Sequence, residues 1–382
     1  MRSLTTLQKI TSLTPIPNAD KIELARILGW NVVVKKGQFE EGSWCVFSEI
    51  DSILPDLPPF EFLKSSSGKM QRIRTVKMRG QVSQGIAFDL DTLYFMCKRE
   101  FGEGNTMMRL EEGLDLTEIM QVTKWEPPED DSGYSGPTVN MRRKGKLPSF
   151  VPKTDQTRVE VLGGLVEKYQ GEKCWISEKL DGSSFSAYYN NGDFGVCSRN
   201  LDVTRPRPPL MERIKTWISR NLLRKREMNH KDRVDAWNKM AIKYDLENLL
   251  KKYGRNLVIQ GEIIGSKIQK NKYKLDEVDL YIFDVYDIDQ AQYLSFNELV
   301  ETTSTLGLQM VPVLYTDFVL DHTVDEISKM ADGWSKLNKD TLREGIVLKP
   351  MIEIKDQQYL KLYRSRVSFK SVSRKFLLKH NL

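Results

Sequence analysis

Over the first third of the chain, apolar and polar residues alternate in short runs. Leu7 to Leu13, Trp30 to Lys35 and Trp44 to Ile50 read this way, and Gln71 to Val76 and Gly85 to Leu90 are shorter runs of the same kind. β-Branched and aromatic residues fill them. Pro15-Ile16-Pro17-Asn18-Ala19-Asp20, Lys36-Gly37 and Glu41-Gly42 separate them, so they predict strands joined by tight turns. Short strands at this spacing predict a small barrel over residues 1–118, with an OB-fold as the best fit.

The pattern breaks at Pro127 to Lys146, which is rich in Pro, Gly, Ser, Asp and Arg and ends in Arg142-Arg143-Lys144-Gly145-Lys146. That composition predicts an exposed linker, placed at 119–150. The remainder, 151–382, mixes strands and helices. Cys174-Trp175-Ile176, Ser184 to Tyr189, Phe194 to Ser198, Leu257 to Ile264, Asp279 to Tyr286, Ile346 to Lys349 and Leu360 to Tyr363 read as strands, with Asn191-Gly192 as a hairpin turn. Pro209 to Tyr253 reads as largely helical and is basic around Arg220 to Arg233; Phe296 to Leu306 and Thr323 to Leu337 are two further helices. The chain is therefore expected to be α+β, in two units.

Composition narrows the function classes. At 382 residues, the chain is long enough for two or three domains. Hydrophobic content of 40% with 29% charged residues is that of an ordinary globular protein. A net charge of +6 hints at a polyanionic partner. No apolar run approaches the roughly 20 residues that span a bilayer, and MRSLTTLQKI lacks a signal-type apolar core, so an intracellular location is expected. Cys45, Cys97, Cys174 and Cys197 form no C-x-x-C pair, and His230, His322 and His380 lie far apart. Zinc ribbons, disulfide frameworks and Ser-His-Asp chemistry are thereby disfavoured.

The chemistry-bearing residues come later, in a fixed order. Lys179 lies between an apolar strand and an Asp181-Gly182 turn. An amine attacks phosphorus only when neutral, which nearby cations or desolvation favour. Taken alone, such a lysine is a surface residue beside a turn. Twenty residues on, Arg199 ends a strand in Ser-Arg-Asn, suited to gripping phosphate. Glu262 ends the apolar Val258 to Gly261, where a carboxylate is costly unless it meets a cation or ligand. Tyr281 and Phe283 share one face of a strand and are available to stack on a base. Glu344 begins EGIVLK, which ends at Lys349, and Lys370 ends SFK.

In KLDGSS, SRN, QGEIIG, YIFDVYD, EGIVLK and SFK, the chain resembles the covalent nucleotidyltransferases, the superfamily of ATP-dependent ligases and RNA capping enzymes. ADKIELARILGW, FSEIDSILP, RTVKMRG, SQG and PSFVPKTDQTRVE narrow the resemblance to RNA ligases in which an OB domain precedes an adenylyltransferase domain. DNA ligases and capping enzymes place an OB domain after the last motif, and only 12 residues follow Lys370 here, so both are disfavoured. A non-catalytic OB-type RNA-binding protein is the remaining alternative.

The resemblance implies a C-terminal domain of ATP-grasp-like antiparallel sheets with helices. It implies Lys179 as the nucleophile, with Glu262, Glu344 and Lys370 as its catalytic partners. Glu178, Arg158, Arg199, Phe283, Lys349 and Lys370, together with Lys179 and Glu262, would hold ATP. Asp181, Glu262 and Glu344 would hold Mg²⁺ or Mn²⁺. The partner would be RNA, a nicked duplex with RNA on the 3′-OH side, with no membrane partner and with the protein acting as a monomer. Many relatives end in K-x-K, whereas this chain offers Lys370 with Ser368 or Val372 in the other position; Lys349 or Arg366 is expected to supply the missing charge. Lys35, Lys36, Arg72, Arg74, Lys77 and Arg79 are candidate groove residues of the barrel.

Overall fold

The computed structural model describes residues 3–102, 109–125, 145–204, 235–357 and 366–382. The chain is α+β, with a β-rich N-terminal unit followed by a domain of two sheets and helices.

In the N-terminal unit, Thr5–Lys9 pairs with Trp44–Ser48, which pairs with Ile86–Phe88. Ser12–Pro15, Ile22–Ile27 and Trp30–Lys35 form a second antiparallel sheet. Leu7, Ile27, Trp30, Phe47 and Phe60 close the core. The single strand expected from Leu7 to Leu13 is two strands. The Ile10 amide donates to the Ser43 carbonyl and the Thr11 amide to that of Arg26, so the chain changes sheets there. The strand expected over Gln71 to Val76 begins only at Thr75 and runs to Met78, as one arm of a hairpin with Gln81–Gln84.

The unit reaches past residue 118. Thr123–Lys124 pairs with Ser52–Ile53, and Met120 and Val122 enter the same core. Val372 and Leu377 from the far end of the chain also pack into it.

The C-terminal domain carries two sheets. The larger runs, in spatial order, through Gly145–Lys146, Leu201–Asp202, Asp193–Cys197, Ser183–Asn190, Leu257–Ile264, Asp279–Asp287 and Gln292–Tyr293. Gly145–Lys146, within the expected linker, thus belongs to this sheet, while residues 126–144 lie outside the described ones. Asn191 and Gly192 both take positive φ (48° and 89°), as a two-residue hairpin turn demands. The smaller sheet runs Thr157–Arg158, Phe369–Val372, Gly345–Pro350, Lys173–Lys179 and Val313–Val319. Leu180-Asp181-Gly182 carries the chain from Lys173–Lys179 in one sheet to Ser183–Asn190 in the other, so Lys179 stands at their seam.

Ala236–Lys243 and Leu246–Tyr253 are the described part of the expected helical stretch. Arg220 to Arg233 and Leu360 to Tyr363 lie outside the described residues. Phe296–Thr305 starts with a Ser295/Glu298 capping box, and Val324–Met330 with a Thr323/Glu326 one. The latter helix stops well short of Leu337. The Arg343 guanidinium takes the carbonyls of Met330, Ala331 and Asp332, which ends the helix and turns the chain.

Candidate active site

Cross-strand register builds the centre of the site. Gly345 lies opposite Lys179, so Glu344 falls beside the lysine, and Lys179 Nζ donates to Glu344 Oε2 at 2.6 Å. Their side chains are 24% and 15% exposed, open enough for a ligand to reach. Glu262 comes from the other sheet, in the strand beside Ser183–Asn190. Gly182 lets that strand approach: a Cβ there would stand 2.3 Å from the Ile263 carbonyl oxygen and 2.9 Å from Glu262 Cγ. The Asp-Gly pair after the lysine thus serves close packing, and the Gly182 amide also hydrogen-bonds the Glu262 carboxylate.

Three acids then surround one lysine. Burial opposes the Lys179 ammonium, but Glu344, Glu262 and Asp181 outweigh it and hold the amine above the ordinary lysine range. Glu262 is pushed up to about 8, first by burial and then by Glu344 and Asp181, with Lys179 opposing. Burial likewise raises Glu344. The site thus holds more negative charge than its own cations neutralise.

The three acids do not stand as one direct ligand set. Among the described residues, no three His, Cys, Asp or Glu side chains are close enough to share an ion. Asp181 is turned to Lys272, with which it forms an ion pair, and its amide donates to the Tyr273 hydroxyl at 2.7 Å. The arrangement fits an ion held by one or two carboxylates and its own waters, the habit of Mg²⁺.

Glu178 is fully buried. Its Oε2 accepts from the Lys336 amide at 2.8 Å, while Oε1 has no hydrogen-bond partner. An orphaned buried acceptor is costly unless a donor arrives from outside. Phe283 and Tyr281 are both half-buried against Leu180, Ile264 and Tyr273, at the base of the lysine's loop.

The structure places several expected ligands elsewhere. Lys349 is buried on Asp284, 2.9 Å away, and donates to the Phe283 carbonyl at 2.7 Å. Burial lowers its pKa to about 8. Arg366 grips both oxygens of Asp284 at 2.8 and 2.9 Å and lies 3.7 Å above the Tyr293 ring. Both side chains, the candidates for the charge missing from the last motif, thus lie on Asp284. Arg158 lies in register with Lys370 and is buried against the OB unit, with Asp51 3.9 Å and the Trp30 ring 5.8 Å away, while its Nε and Nη1 have no hydrogen-bond partner. Arg199 pairs with Asp155 at the surface. Lys370 lies opposite Val347, within the electrostatic reach of both Glu344 and Asp155. Of the proposed groove residues, Lys35, Lys36, Arg74, Lys77 and Arg79 are exposed, whereas Arg72 stacks on Trp125 at 3.7 Å.

Sequence reasoning missed Lys272, Tyr273 and Asp284. The signal for the first two was Lys267 to Lys274, four lysines in eight positions directly after the Glu262 strand. Asp284 was hidden inside an aromatic strand.

A lysine in a carboxylate nest, at the seam of two sheets behind an OB-fold, defines a nucleotidyltransferase of the ligase type. An OB-fold domain model matches residues 4–90, and the RNA ligase model matches residues 172–372. Solved structures agree. A Naegleria gruberi RNA ligase variant with ATP and Mn is 34% identical, covering 99% of each chain, with a TM-score of 0.78. Another variant, with AMP and Mn, is 34% identical over 100% of this chain and 99% of that one, with a TM-score of 0.79. The same ligase with PPi is 33% identical over 100% and 99%, with a TM-score of 0.78. Among curated proteins, no sequence matches. The chain belongs to the RNA ligase family.

Proposed function

We propose that this protein is an ATP-dependent RNA ligase that seals 3′-OH and 5′-phosphate ends, in nicked duplex RNA, through a lysyl-AMP intermediate. The observation that carries this reading is Lys179 Nζ at 2.6 Å from Glu344, inside a site with three acids. The Lys179 amine attacks the α-phosphate of ATP, forming a P–N bond and expelling pyrophosphate. The AMP group passes to the RNA 5′-phosphate, freeing the lysine. The 3′-OH then attacks that phosphate and expels AMP. All three are displacements at phosphorus, where positioning and charge neutralisation do most of the work.

Each residue has a part. Glu178 Oε1 accepts from the adenine amine, which would satisfy its orphaned lone pairs. Phe283 or Tyr281 stacks on the base. Glu344 accepts the proton held on Lys179 Nζ, and burial has already raised its affinity for one. Asp181, Glu262 and Glu344 would hold Mg²⁺ or Mn²⁺, which would supply positive charge against the acids that keep Lys179 charged. The Naegleria relatives solved with ATP, AMP and Mn support this choice. Lys370 and Arg199 hold phosphate or the RNA end. No helix among the described residues is long and apolar enough to cross a membrane, and all four cysteines are free and buried.

Two experiments test it. Labelled ATP, but not GTP, should mark the protein covalently on a denaturing gel; label from GTP alone overturns the reading. RNA is then exchanged for DNA on each side of a nick, and equal sealing of all-DNA nicks would defeat the RNA assignment.

A further inference from the structure

We propose that Lys272 donates to a phosphoryl group of the bound substrate, with the β,γ-phosphates of ATP as the favoured source. This rests on the adenylyl-transfer reading above.

The argument starts from charge. A triphosphate brings about four negative charges to a site that already holds Asp181, Glu262 and Glu344. Most basic groups expected to meet it are engaged elsewhere. Lys349 and Arg366 are buried on Asp284, Arg199 is on Asp155, and Arg158 faces the OB unit. Lys272 is the cation that sequence patterning overlooked and the fold brings in. Its ammonium pairs with Asp181, two residues from the nucleophile, and the pair is only 13% and 17% exposed. Asp181 in turn acts on Lys179, Glu262 and Glu344, so Lys272 stands at the edge of the same nest. An ammonium carries three donors, and Asp181 occupies one.

The loop is built to hold it there. Lys267, Gln269, Lys270, Asn271 and Lys274 all take positive φ, between 42° and 69°. Non-glycine residues keep such angles only where their surroundings over-determine them. Here the Asn271 side chain closes on both backbone groups of Leu275, Asn338 donates to the Tyr273 carbonyl, and the Thr341 hydroxyl donates to the Lys272 carbonyl. Tyr273 is 2% exposed and anchors its neighbour. The Lys272 ammonium lies 5.0 Å from the Phe376 ring, which steadies it without quenching its charge.

The test uses the full chain with Lys179→Met, which blocks covalent transfer, and measures ATP and AMP affinities by calorimetry with and without Lys272→Met. Loss of a charge-assisted contact should weaken ATP by about tenfold or more while AMP changes little. Lys272→Arg should restore most of the difference. With Lys179 intact, sealing of pre-adenylylated RNA bypasses ATP. If the ATP-to-AMP ratio holds but this sealing falls, the phosphoryl contact is real and its source is the RNA 5′-phosphate. If ATP, AMP and sealing are all unchanged, or all fall together with thermal stability, the proposal is overturned. Failure of the parent reading looks different: the unsubstituted protein would take no label from ATP.

Discussion

Two ionic clusters lie between the same two sheets, and they are built on opposite terms. Around Asp284 the charges close. Burial pushes that carboxyl up, but Arg366 and Lys349 outweigh it and hold it below the ordinary range. Around Lys179 they do not close. Glu344 takes Lys179 and Asp181 takes Lys272, which leaves Glu262 with no ion-pair partner of its own among the described residues, and Glu262 and Glu344 are driven toward their neutral forms. Two unit charges 4 Å apart interact by about 4 kcal/mol at an effective dielectric near 20, so a surplus of this kind matters. The closed cluster ties Asp284 of one sheet to Lys349 of the other and braces the fold. The open one stores an unmet demand for cations, which is what a phosphate-handling centre needs before its substrate arrives.

The largest contrast should be chemical. Lys179→Ala should cut covalent uptake of AMP by roughly 10⁴-fold or more while leaving the unfolding midpoint nearly unchanged. A labelled band surviving in this variant would move the nucleophile elsewhere and dissolve the contrast.

Asp284→Ala should do the reverse. Removing the acid leaves Lys349 buried without its ion-pair partner and Arg366 with Glu353 alone, a loss of about 3–5 kcal/mol in urea unfolding. Under conditions where the variant remains folded, its Lys179 should still take label. A stability change below about 1 kcal/mol would mean that the brace is no brace.

How much of this was legible beforehand follows from the same division. The open centre was legible because its residues sit at strand ends and turns, in ordered short motifs: Lys179, Glu262 and Glu344 do meet. The closed cluster was not, because Asp284 reads as one more polar position in an alternating strand, and nothing local says that Lys349 and Arg366 will converge on it. The surroundings of Arg158 were hidden for a related reason. Its neighbours in sequence belong to the catalytic domain, but its side chain answers to Trp30 and Asp51, from the other unit. The strands from Trp30, Leu257 and Asp279 were readable from pattern alone, whereas the switch at Ile10-Thr11 and the helix stop imposed by Arg343 depend on partners outside the segment itself.

A subtler test uses pH. Glu262 has a folded pKa of about 8, above its unfolded value, so its contribution to stability is present below the unfolded pKa and is lost as pH rises through about 8. Glu262→Gln removes that dependence. In metal-free buffer the variant should therefore gain on the unsubstituted protein between pH 5 and 9, as read from denaturation midpoints at each pH. Parallel curves would show that Glu262 feels no surplus of negative charge.

The smallest effect belongs to the pair that lies outside both clusters. Asp155 and Arg199 are 39% and 43% exposed, so solvent screens them and side-chain entropy offsets their attraction. Burial pushes Asp155 up, while Arg199 and Lys370 bring it below the ordinary carboxylate range, so some coupling exists. Its value in stability should nonetheless stay under about 1 kcal/mol for Asp155→Asn, and 0.5 M salt should shrink it further. Functional readouts should move the other way. Freed from its acid, Arg199 becomes more available to phosphate, so the RNA concentration needed for half-maximal sealing should fall or hold steady. A loss of several kcal/mol here would place Asp155 among the buried braces, and the line between closed and open clusters would have to be redrawn.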